Sequence, residues 1–126
     1  MTQAKKINYD RRVFRPVRSS DSGEAGSETL FHYSQHDDVV WATYSGGSIQ
    51  RGQLLAIAAP NGDLEMRYHH VNTSGDLMTG ICRSQPELLE DGRLRLHEEW
   101  RWTSGDLSSG TSTLEEILPS QYGRGD

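Results

Sequence analysis

Asp91-Gly92-Arg93-Leu94-Arg95-Leu96-His97-Glu98-Glu99-Trp100-Arg101-Trp102 changes character at nearly every step. Leu94, Leu96, Glu98, Trp100 and Trp102 fall on one parity; Arg93, Arg95, His97, Glu99 and Arg101 fall on the other. Successive side chains of a strand point to opposite faces, so this stretch reads as a strand with one face on a core and one in water. An earlier stretch repeats the pattern: after Asn61-Gly62-Asp63, the residues Leu64, Met66, Tyr68 and His70 alternate with Glu65, Arg67, His69 and Val71. One-sided alternation is the habit of antiparallel sheets, because parallel sheets are covered by helices on both faces.

Outward from these strands, turn-forming clusters recur at Ser22-Gly23, His36-Asp37-Asp38, Ser45-Gly46-Gly47, Asn61-Gly62, Ser74-Gly75-Asp76, Glu90-Asp91-Gly92 and Ser104-Gly105-Asp106. They divide the chain into eight segments of strand length and leave little room for helices. Asn61-Gly62 and Asp91-Gly92 suit the left-handed backbone of a type I′ hairpin turn. The motifs at 61 and 74 recur at 91 and 104, an offset of 30 residues that reads as two successive hairpins of one meander. Pro16 restricts its segment to an edge or a bulge. Residues 84–92, with Pro86, are expected to form an irregular turn around Leu88 and Leu89, and residues 119–126 a mobile tail. The fold is therefore all-β: an antiparallel up-and-down meander of about eight strands, closing into a small lipocalin-like or avidin-like barrel. Closure hides the apolar face and removes the edges. Residues 1–118 form that single domain.

Composition excludes several functions. With 126 residues the chain has room for one core. Its net charge of −5, from 13 basic and 18 acidic residues, has the wrong sign for a protein that neutralises phosphates, so no nucleic-acid partner is expected. No apolar run approaches the ~18–20 residues of a membrane helix, and no membrane partner is expected. Met1 to Lys6 has no apolar stretch behind it, which points away from a secretory signal and toward a cytoplasmic location. The lone Cys82 excludes an internal disulfide and a multi-cysteine zinc site. His69 and His70 are adjacent on a strand and point to opposite faces, so they cannot share a metal. No catalytic or cofactor motif is found, and no cofactor is expected.

Candidate chemistry lies on the inward face. Tyr33, Trp41, Trp100 and Trp102 are read as the walls of an aromatic cup, with Glu98, His70, Tyr68 and Thr79 as its hydrogen-bonding groups. An eight-stranded interior is either filled by side chains or holds one small ligand, and the sequence leaves both open. The outward Arg67, His69, Arg93, Arg95, His97, Glu99 and Arg101 read as a solvated face with cross-strand charge pairs. Two functions follow: a non-enzymatic binder of a small, partly apolar ligand, since a barrel supplies a pocket without a nucleophile, or a protein-interaction module with a filled interior.

A resemblance adds a third. The runs Ser27-Glu28-Thr29-Leu30-Phe31-His32-Tyr33, Val40-Trp41-Ala42-Thr43-Tyr44-Ser45-Gly46-Gly47, Met66-Arg67-Tyr68-His69-His70-Val71-Asn72 and Leu96-His97-Glu98-Glu99-Trp100-Arg101-Trp102-Thr103-Ser104-Gly105-Asp106 resemble short bacterial proteins commonly labelled N-acetylglutamate synthase, from about Ile7 to Ile117. The resemblance implies an acetyltransferase acting on glutamate with acetyl-CoA, and brings no site residues with it. The residues themselves place no helix after the glycine-rich stretch Ser45-Gly46-Gly47-Ser48, where acyltransferases of the common α/β type hold the cofactor's pyrophosphate.

Overall fold

The period-two pattern becomes eight strands: β1 (Val13–Ser19), β2 (Leu30–His36), β3 (Val39–Gly46), β4 (Ile49–Ala58), β5 (Leu64–Asn72), β6 (Leu77–Leu88), β7 (Leu94–Trp102) and β8 (Ser109–Ile117). In this computed structural model, which describes residues 6–122, each strand pairs antiparallel with the next and β8 pairs with β1, closing the barrel. On β7, Leu94, Leu96, Trp100 and Trp102 are buried while His97, Glu99 and Arg101 are exposed; β5 does the same with Leu64, Met66 and His70. The up-and-down barrel expected from the alternation is the observed fold.

The turns differ in detail. Gly62 and Gly92 take positive φ, 95° and 91°, but Asn61 and Asp91 do not, so these hairpins are not type I′. The Gly62 amide donates to Ala59 O and the Ala59 amide to Asp63 O, a type I turn followed by a left-handed glycine. Leu89, Gly92 and Arg93 repeat that arrangement, as do Asn72, Gly75 and Asp76. Asn61 Oδ1 accepts the Asp63 amide at 3.0 Å and Asp91 Oδ1 the Arg93 amide at 3.1 Å. Asn and Asp therefore act through a local side-chain acceptor rather than through tolerance of positive φ.

Pro16 sits at a bulge, where the β1–β8 register shifts between Pro16 and Arg18. Residues 84–88 are not an irregular turn: β6 runs through Pro86, which lies opposite Leu96. Pairing of β6 with β5 stops at Ser84, so Pro86 has one neighbouring strand and its missing N–H costs no ladder bond on the other side. The segment expected as a tail contains one helical turn, Pro119–Tyr122, and its residues 123–126 lie outside the described residues.

Both ends of the barrel are covered. At one end residues 7–12 fold across the opening, with Tyr9 fully buried, its hydroxyl donating to Gly62 O at 2.6 Å and its ring stacked on Tyr33. At the other, residues 20–29 between β1 and β2 form a strap over the mouth. The Trp102 indole N–H donates to Ser22 O at 3.0 Å, and the Ser48 hydroxyl donates to Glu24 O at 2.7 Å.

Candidate functional site

Between plug and strap lies a partly open void of about 60 Å³. Tyr33 from β2, Tyr68 and His70 from β5, and Glu98, Trp100 and Trp102 from β7 all line it, as the alternation requires. Trp41 and Thr79 do not. Trp41 is 40% exposed on the outer wall, because β3 turns Val40, Ala42 and Tyr44 inward and that parity leaves Trp41 outside. Thr79 pairs in register with the outward His69, and its hydroxyl meets that of Thr103 at 2.8 Å on the surface. The inward place next to it belongs to Gly80, over which the Tyr68 ring folds.

Tyr44 and Glu24 join the site without having been singled out from sequence. Tyr44 was visible in the alternation of β3 but was outranked there by the larger Trp41. Glu24 sits in a loop, where no period marks direction. His70, 3% exposed, links the two: its Nε2 lies 2.7 Å from Glu24 Oε1 and its Nδ1 3.0 Å from the Tyr44 hydroxyl. Asn72 Nδ2 donates to the other Glu24 oxygen at 3.1 Å. With the imidazole proton on Nε2, that N–H donates to Glu24 and the Tyr44 hydroxyl donates to Nδ1, so every group is satisfied. The network pins the strap to the barrel wall.

Deeper inside, satisfaction ends. Among the described residues the Tyr33 hydroxyl, in a side chain 2% exposed, has no hydrogen-bond partner, and neither has the buried Ser84 hydroxyl. Glu98 lies opposite Ser84 in the ladder. Burial pushes its carboxyl up from 4.5 to about 7, and the Ser84 hydroxyl offsets part of that rise without reaching ordinary hydrogen-bond geometry. Burial, and secondarily the Glu98 charge, raises the Tyr33 hydroxyl well above its usual range. Burial likewise pushes the Cys82 thiol up, which keeps it protonated and a poor nucleophile. The two indoles are satisfied, Trp100 Nε1 donating to Ser112 Oγ at 2.8 Å.

Three of the outward charges are paired: Arg95 with Glu115 at 2.8 Å and His97 with Glu87 at 2.8 Å, both across strands, and Arg93 with Asp91 of its own turn at 2.7 Å. Two of the three are the cross-strand pairs that the sequence implies, and the third is local to the turn.

A closed eight-stranded barrel whose interior is an aromatic cup, with an unpartnered polar group among the described residues that line it, has the architecture of the small-ligand-binding β-barrels. The family model described as avidin-like protein matches residues 7–117, nearly the whole chain, and the chain belongs to that family. Neither the curated proteins nor the solved structures contain a match. The match corrects the resemblance to proteins labelled N-acetylglutamate synthase: the motifs that carried it lie in strands and turns of an avidin-like barrel.

Proposed function

We propose that the aromatic cup is the ligand site and that its ligand is small and partly apolar, held by Trp100, Trp102 and Tyr68 and oriented by Glu98 and Tyr33. The carrying observation is the Tyr33 hydroxyl, buried against the void with no partner among the described residues. A buried hydroxyl left unsatisfied costs roughly 1–3 kcal/mol, which a ligand or water in the void recovers. A void of about 60 Å³ is well below the ~300 Å³ of ordinary ligand sites. Gly23, Glu24 and Ala25 of the strap line that void, so lifting the strap is the route both to entry and to a larger cup.

The test is a titration with a panel of small metabolites that includes biotin, read by tryptophan fluorescence and thermal shift. Saturable quenching with a raised melting temperature is expected, and both effects are expected to weaken in Trp100→Phe. A panel with no effect on either signal removes the reading.

A second reading has its own observation. Trp41, Leu55 and Ile57 are exposed on adjoining strands of the outer wall, with Trp41 opposite Leu55 in register. A protein partner seated there makes the barrel an interaction module that works through its outer wall. In that case Trp41→Ser abolishes association while leaving the ligand titrations unchanged.

A further inference from the structure

The void is chemically one-sided. Two carboxylates, Glu24 and Glu98, line it, and among the described residues no lysine or arginine does. Glu24 is occupied by His70 and Asn72. Glu98 has no ion-pair partner among the described residues, although it stands inside the protein. The neighbouring Tyr33 hydroxyl, buried and unpartnered, is free to accept a hydrogen bond. Tyr68, Trp100 and Trp102 supply aromatic surface around the same space, with ring centroids 5.6 Å apart for Tyr68 and Trp102 and 5.8 Å for the two indoles. Aromatic walls attract cations through their negative faces, most strongly when water is excluded. An anionic group entering this cup would meet two acids and no compensating charge.

Resting on the reading of the cup as a ligand site, we propose that the ligand carries a compact organic cation, a methylated or primary ammonium group, seated between the Glu98 carboxylate and the aromatic walls. The size agrees: a void of about 60 Å³ has room for a few water-sized groups, the scale of a compact ammonium head. The rest of such a molecule lies toward the mouth, beneath the strap. The elevated Glu98 carboxyl fits a group built to be neutralised by an incoming charge, and binding near neutral pH then releases a proton. The titratable groups around Glu98 are Tyr9, Tyr33, Tyr44, Tyr68 and Cys82, all raised by burial and neutral near pH 7, with the His70–Glu24 pair at the mouth.

The experiment compares choline with its uncharged isostere 3,3-dimethylbutan-1-ol. Each is titrated into the full chain and into Glu98→Gln, at about pH 8 and about pH 5.5, by tryptophan fluorescence and by calorimetry in two buffers of different ionisation enthalpy. Choline is expected to bind the native protein at least tenfold more tightly at the higher pH, with proton release near pH 7. In Glu98→Gln its affinity falls at least tenfold and the proton release disappears; the isostere is weaker than choline and indifferent to pH. Should Glu98→Gln fail to fold, the native pH profile and proton release decide alone. An isostere that binds as tightly as choline, or choline binding that ignores pH, overturns the cation proposal and leaves the cup intact as a site. If neither probe nor any panel metabolite perturbs the protein, the ligand-site reading falls with it.

Discussion

Glu98 enters the interior because it shares the parity of Leu96 and Trp100, and a strand cannot turn one side chain outward without losing its register. Its carboxyl is raised from 4.5 to about 7, so between those values the folded state holds a proton that the unfolded chain has lost. Stability from this group is therefore fully present below about pH 4.5, declines as pH rises, and has been lost above about pH 7. The linkage amounts to roughly 2–3 kcal/mol, with water in the void trimming the larger figure. Glu98→Gln is expected to unfold at increasingly higher urea than the native protein as pH rises from about 5 to about 8. A midpoint difference independent of pH would show that Glu98 is ionised throughout. The alternation made this residue legible, whereas the His70–Glu24 bond was not, since its acid arrives from a loop.

Among the elements, the strands were readable and their connections only partly so. Period-two burial follows from pleat geometry and survives tertiary packing, which is why β5 and β7 face as their residues imply. β3 misled because it carries bulky apolar residues on both parities, Val39 and Trp41 against Val40 and Tyr44, and size does not decide direction. Tyr68 is placed by a glycine on the next strand: a Cβ at Gly80 would collide with the Tyr68 ring. Gly80→Ala is expected to push that ring from the wall of the cup, costing about 1–3 kcal/mol and altering the near-ultraviolet circular dichroism. The strap gives a separate expectation. Glu24→Ala removes the acceptor for His70 and Asn72, so amide exchange at residues 22–25 should quicken while that of β5 and β7 stays slow. Unchanged protection there would mean that the Trp102 and Ser48 bonds hold the strap unaided.

For the molecule as a whole, closure depends on the seam between the first and last strands. Seven sequential hairpins bring β8 beside β1, but hairpin geometry alone does not make that last pairing, which joins Val13 to Ile117 across nearly the full chain. The seam carries its own fastening. Arg12 Nη1 lies 2.6 Å from Glu116 Oε1, and that same oxygen accepts the Leu94 amide at 3.0 Å, so one carboxylate ties the plug, β7 and β8 together. Glu116 is buried, and removing its cation leaves a carboxylate with amide donation in place of a counter-charge. Arg12→Ala is therefore expected to cost about 1–3 kcal/mol, less than a fully buried pair because the Arg12 side chain is 26% exposed. Because a closed barrel has no free edge along which to fray, the loss should appear as one cooperative shift of the urea midpoint. The chevron should show it in the unfolding limb if the seam forms after the hairpins, since long-range pairing waits on loop closure. A mainly slowed folding limb would instead make the seam part of the nucleus, with the hairpins assembling onto an already joined first and last strand.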